Sequence, residues 1–343
     1  MKQTPRSVTR TFSLVTLCAV GLALWSPPAT ALETPENALT AVEAAAAASQ
    51  VALGSEGDAA GFAGAVDSAG GLVARNSVGS VVVPVEAGRP VVVDGAGTAI
   101  AMSLPVASSA QEAVSVAGNA VFVDETVSTV VDVQSEGVRV MEVLKLTDAP
   151  SEYTYDLDLP AGSELIASPD GGAVVATVTQ DGEQVTADVV ATFAPPWAVD
   201  AVGTPVPVTY KVVDNTLTMI VDQTGQYQYP LVADPSLTLG DFRISWSILS
   251  PTTVTILANK RGTQAWLIGT GGVCTAVIAL TALIPLVGPA VSAIIAVRCA
   301  GELTLYGLGS LYNKCAARKA TVTLGVAGVV FGVPYVYSGA FCK

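Results

Sequence analysis

Between residues 153 and 159 the apolar side chains Tyr153, Tyr155, Leu157 and Leu159 alternate with Thr154, Asp156 and Asp158. That period of two marks a strand with one dry face and one wet face. Two hairpins follow from the same rhythm. A two-residue turn at Asp181-Gly182 sets Val178 opposite Val185, Ala176 opposite Ala187 and Val174 opposite Val189. A second turn, at Asp214-Asn215, sets Val212 against Leu217, Tyr210 against Met219 and Val208 against Val221. Upstream, β-branched runs at residues 81–83, 91–93 and 121–133 read as further strands, with their register open. Turn-formers at 168–172 and at Pro195-Pro196 punctuate the series. The chain is therefore predicted to be mainly β, with an antiparallel β-sandwich body over residues 75–240.

The flanks break this rhythm. The first 31 residues carry Lys2, Arg6 and Arg10, then an uncharged apolar run at 11–25, then Ala29-Thr30-Ala31. Positive, apolar and small segments in that order make a cleavable secretory signal peptide, with Leu32 as the first mature residue. The rival reading, an uncleaved anchor, needs about 20 apolar residues where this run has about 15. Residues 32–74 read as an Ala- and Gly-rich spacer. Thr34-Pro35 is suited to start a helix continued by the alanines of 37–53, and after Gly54 there is little left to bury.

The run Tyr227-Gln228-Tyr229-Pro230-Leu231-Val232-Ala233-Asp234-Pro235 closes the β region. It resembles a group of uncharacterised secreted proteins of high-GC Gram-positive bacteria, which carry a Tyr-Pro-x-x-Ala-Asp-Pro run after a β-rich domain and then a tail containing Cys and Gly. The resemblance covers residue 138 to the C-terminus and implies export and a domain boundary, with no activity attached. Read physically, Pro230 and Pro235 cannot donate to a ladder, which predicts a last edge strand leading into a linker.

Residues 241–343 form a different text. No charge occurs between Arg261 and Arg298, and Pro285, Gly288 and Pro289 interrupt that apolar span. The pattern predicts a hairpin of two helices, the first about 19 residues long and near spanning length. Cys274 and Cys299 lie at equal distances from its bend, which favours a Cys274 to Cys299 disulfide and leaves Cys315 with Cys342. A second apolar block at 321–337 carries Gly325, Gly328 and Gly332 and suits either close-packed helices or strands. Between the blocks Lys314, Arg318 and Lys319 make a basic patch, read as a solvated helix face or as a contact for anionic headgroups. With Trp266 they are the membrane-contact candidates. The expectation is a small, hydrophobic, disulfide-bonded and mostly helical C-terminal module.

Charge sharpens the division. Residues 32–259 hold six basic against 28 acidic side chains, a net of −22, whereas residues 260–343 hold seven basic and one acidic, a net of +6. A body this acidic lacks the cationic footprint that phosphate backbones require, so nucleic acid is not an expected partner. The tail suits a membrane surface or cell envelope. Cysteine usage fits export, because Cys18 leaves with the signal peptide and an even four remain, all in the tail. A zinc site is the weaker reading of those cysteines, since there is no CxxC spacing and no histidine.

The absence of histidine also excludes Ser-His-Asp and Cys-His nucleophiles and the HExxH metal site. No GxSxG elbow, phosphate loop or complete GxGxxG is present, and the glycines at 269–272 and 307–310 read as packing positions. Carboxylates alone remain. Asp156 with Asp158, and Asp234 with Asp241, are candidate calcium ligands, against the commoner reading of solvated strand-face acids. No catalytic residue and no cofactor is expected. Two functions follow: an exported, envelope-associated, non-enzymatic protein whose tail contacts or anchors in a membrane, or a bacteriocin-like membrane-active effector whose acidic domain masks a cationic tail.

Overall fold

The computed structural model describes residues 30–53, 61–62 and, with short gaps, 70–258, together with brief tail segments, chiefly 322–327 and 339–342. A helix, α1 (Thr30–Leu53), comes first. The first nine strands are β1 (Gly71–Arg75), β2 (Gly79–Pro84), β3 (Val91–Gly95), β4 (Thr98–Met102), β5 (Val114–Val116), β6 (Asn119–Phe122), β7 (Val127–Gln134), β8 (Gly137–Leu144) and β9 (Glu152–Asp158). Next come β10 (Glu164–Ala167), β11 (Ala173–Asp181), β12 (Gln184–Phe193), β13 (Trp197–Val199), β14 (Val208–Val213), β15 (Thr216–Val221), β16 (Leu231–Asp234), β17 (Ser236–Ser247) and β18 (Thr253–Ala258). The tail adds β19 (Val322–Ala327), β20 (Val329–Val330), β21 (Val333–Pro334) and β22 (Gly339–Cys342).

The protein is mainly β, built from antiparallel sheets. One sheet runs β1-β2-β3-β4-β9-β15-β14. The larger one runs β10-β11-β12-β17-β8-β7-β6-β5, with β16 pairing both β8 and β13, and with β18, β19 and β22 continuing from β17. Their facing sides enclose the main core, which includes Val83, Ile100, Met102, Phe122, Val140, Tyr155, Phe193, Leu217 and Leu231. Alternation on β9 is complete: Tyr153, Tyr155 and Leu157 are buried and Glu152, Thr154, Asp156 and Asp158 exposed.

Part of the outer face of the larger sheet, over β5 to β8, β13 and β16, is covered by α1. Ala38, Ala41, Val42, Ala45 and Ala48 recur at the spacing of one helical face and pack on Val121, Val130, Met141, Val143, Val199 and Val232. Side chains this small let the helix backbone lie close to the sheet. The alanines read as part of a spacer thus form a third layer of the body, and the helix begins at Thr30, ahead of the expected cap at Thr34-Pro35.

The Asp214-Asn215 hairpin has the expected register, with Val212 opposite Leu217, Tyr210 opposite Met219 and Val208 opposite Val221. The other hairpin is displaced. Val178 faces Ala187 and Ala176 faces Val189, because the pairing closes at Asp181 and Gln184 around a turn that puts Gly182 first, at a φ of 57°. A slip of two residues leaves each side chain on its own face. Val174 then faces Thr192, beyond a bulge at Val175/Ala176.

Three boundaries move. The first strand begins at Gly71, inside the expected spacer, and β17 runs through residue 240. The Tyr-Pro-x-x-Ala-Asp-Pro run holds no edge strand and leads into no linker. After a cis Tyr229-Pro230 bond, Leu231–Asp234 is buried at every position and flanked by β8 and β13, and Pro235 connects it directly to β17. In the second apolar tail block, residues 322–327 are a strand, β19, paired with β18 and β22. Residues 1–29 of the expected signal peptide and nearly all of the expected helical hairpin lie outside the described residues.

Candidate functional site

Strand β8 carries ionisable side chains on both of its faces, and each face is covered. Val138, Val140, Glu142 and Leu144 point to the inter-sheet core, while Arg139, Met141 and Val143 lie toward α1. Gly137 starts the strand where it touches β17. A Cβ there would sit 1.9 Å from the Leu237 carbonyl oxygen, so only glycine allows β17 close enough to set Ser236 opposite Arg139.

On the core side, Glu142 is fully buried. The Thr129 hydroxyl, from neighbouring β7, donates to Oε2 at 2.7 Å, and the Tyr155 hydroxyl, from the opposite sheet, donates to Oε1 at 3.0 Å. Burial pushes the Glu142 carboxyl up to about 7, and the two hydrogen bonds oppose that rise. Burial and the nearby Glu142 in turn push the Tyr155 and Tyr153 hydroxyls up. The Tyr153 hydroxyl is buried with no hydrogen-bond partner, an uncommon state for such a group.

On the α1 side, Asp132 from β7 and Asp234 from β16 flank Arg139. Arg139 Nε lies 3.7 Å from Asp234 Oδ2 and donates to Ser236 Oγ at 3.3 Å, while Nη1 donates to Ser49 Oγ of α1 at 3.4 Å. Asp234 also accepts from the Ser236 hydroxyl and from the backbone and indole N–H groups of Trp197. Asp132 accepts from the Gln134 amide. Burial outweighs these interactions and the guanidinium, and pushes both aspartates up to about 6. Two carboxyls share one guanidinium beneath a helix, and both titrate close to neutral pH.

The remaining sequence candidates fall elsewhere. Asp156 and Asp158 are exposed on β9, and Asp156 accepts from Thr216 Oγ1 at 2.7 Å. Asp234, a candidate calcium ligand with Asp241 and more commonly read as a solvated strand-face acid, is instead buried and engaged with Arg139 and Ser236. Among the described residues no group of three or more His, Cys, Asp or Glu side chains is placed to hold a metal. Cys274, Cys299, Cys315, Trp266, Lys314, Arg318 and Lys319 lie outside the described residues, while the backbone of Cys342, on β22, pairs with Val322. Among the described residues no helix is long and apolar enough to cross a membrane, which says nothing of crossing by strands.

Sequence reading passed over Glu142, Asp132 and Arg139. Their signal was three charges within the runs 127–134 and 137–144, where apolar residues occupy both strand faces and a charge must be buried.

No family model matches the chain, and no curated protein sequence matches it. Among solved structures it is similar to a glycoside hydrolase family 81 protein from Clostridium thermocellum, with 11% identity and a TM-score of 0.25 over 59% of this chain. The chain spans 30% of that protein's length, and a likeness this slight carries no argument about fold or activity.

Proposed function

We propose that this is an exported, cell-envelope-associated protein without catalytic activity, whose acidic β body displays an apolar, cationic C-terminal segment to a membrane surface. The observation that carries the reading is the division of charge, −22 over residues 32–259 against +6 over 260–343, together with the charge-free span between Arg261 and Arg298. A cationic apolar segment gains both from burial of its apolar side chains and from attraction to anionic headgroups. The body's chemistry supports the same reading. Glu142, Arg139 and Asp234 are engaged in internal hydrogen bonds and ion pairing, and each is buried. A carboxyl needs access to a substrate to act as acid or base.

Within this reading the four tail cysteines form two disulfides, Cys274 with Cys299 and Cys315 with Cys342, and Trp266, Lys314, Arg318 and Lys319 meet the lipid. Fractionation of the producing cells tests it. Recovery in the envelope fraction, released by detergent and lost on truncation after residue 259, is the expected result. Recovery of the intact protein wholly in the medium would overturn anchoring. Leakage of dye from anionic vesicles on adding that protein would then favour the bacteriocin-like effector.

A further inference from the structure

We propose that α1 is a proton-controlled cover, which docks on the larger sheet when the Asp132–Arg139–Asp234 cluster beneath it carries a proton and loosens when both carboxyls are ionised.

The inference stands apart from the envelope reading and rests on what faces the cluster. From β7 come Asp132 and Gln134, from β8 Arg139, from β16 Asp234, from β17 Ser236, from β13 Trp197 and from α1 Ser49. Tyr210 of β14 donates to the Asp234 backbone oxygen at 3.2 Å. Arg139 is the cation in this set, against two carboxyls. α1 adds no countercharge, because Glu36 and Glu43 are exposed and its last turn holds no basic residue. Ser49 lies about one turn before the helix end, where the backbone dipole is negative, and this adds to the excess.

The cover is held by little. Its buried face offers four alanines, one valine and Ser49, each alanine contributing a single methyl group. A cover with so small an apolar footing is drawn from the low-stability end of a fold, where a change in charge below it decides its occupancy. Undocking gives Asp132 and Asp234 back to water, and their carboxyls return from about 6 toward the ordinary 3.8. Docking therefore takes up protons: it is tightest below about pH 4 and weakens as pH rises through about 6.

Hydrogen exchange on the full chain, corrected for intrinsic rates, tests this. The expected result is that α1 amides exchange through an opening of their own, less protected than β9 and β15. Their protection falls between pH 4 and pH 7 by about fiftyfold for each carboxyl that returns from about 6 to 3.8, and by about a thousandfold or more for the two together. In the Asp132→Asn/Asp234→Asn double variant that fall disappears. Protection of α1 equal to that of β9 at every pH, a flat wild-type profile, or an unchanged profile in the double variant each overturns the proposal. Should the double variant not fold, Glu142→Gln decides. Glu142 lies on the opposite face of β8, so the α1 profile must survive its loss, and a profile abolished by Glu142→Gln overturns the proposal.

Discussion

Tyr155 and Glu142 meet across the sandwich, the phenol on one sheet donating to the carboxyl on the other at 3.0 Å, with neither side chain exposed at all (0%). A contact of this kind joins the two sheets through a group that gains or loses charge near neutral pH. Burial is the dominant effect, because two hydroxyl donors do not replace the hydration an ionised carboxylate has in water.

The first prediction is a stability that declines toward alkaline pH. Folding raises Glu142 from 4.5 to about 7, so its stabilising share is complete below 4.5 and is lost as pH rises through about 7. The span corresponds to about 3 kcal/mol. Urea midpoints measured from pH 4.5 to 8 are expected to fall in the wild type. In Glu142→Gln they should fall less, with the variant more stable than the wild type above pH 7. An unchanged slope in the variant would rule Glu142 out as the source.

Removing the donor has the complementary effect. Tyr155→Phe takes one of two hydrogen bonds from a carboxyl that has nothing else to turn to, at a cost of about 1–3 kcal/mol. The cost is expected to be larger at pH 8, where the ionised form is deprived, than at pH 5. A double-mutant cycle with Glu142→Gln should show clear non-additivity. Additive losses would mean that Tyr155 contributes through ring packing alone.

On the opposite face of β8, Arg139→Met leaves Asp132 and Asp234 buried without their cation. Breaking a buried pair from one side costs about 3–5 kcal/mol. Because both carboxyls sit at about 6, protonation relieves much of the loss at pH 5, so the wild-type and variant curves should converge in acid. Equal losses at pH 5 and pH 8, read from denaturant unfolding, would contradict this electrostatic account.

These side chains mark the limit of what the sequence discloses. Where one face of a strand is wet, as on β9, alternation is written in the residues, and the β14–β15 pairing could be read to the residue. The β11–β12 hairpin was displaced because glycine takes the first turn position there, and a shift of two is invisible to a pattern of period two. On β8 both faces are dry, one against the other sheet and one against α1, so alternation vanishes and Glu142 and Arg139 lose their context. The helix itself was legible, but its docking was not, because alanine faces give little contrast with solvent-facing alanines such as Ala47.

A last prediction concerns the turn at Ala117-Gly118, which joins β5 to β6 at the side of the sheet where α1 packs. Ala117 has a φ of 48° and Gly118 a φ of 82°, the left-handed pair of a primed hairpin turn. Glycine takes such a φ freely, whereas an alanine there bears strain of about 1–2 kcal/mol. Asparagine tolerates the region better, and Asn-Gly is the preferred pair for this turn. Ala117 is exposed, so a longer polar side chain enters water, and the bond from the Asn119 amide to the Ala117 carbonyl oxygen, at 3.2 Å, uses backbone that the substitution keeps. Ala117→Asn is therefore expected to stabilise the body by about 0.5–1 kcal/mol. Ala117→Val, β-branched in the same conformation, should destabilise it. Thermal unfolding of the two variants beside the wild type checks the order, and a lower midpoint for the asparagine variant would show that the turn is not where this strain is held.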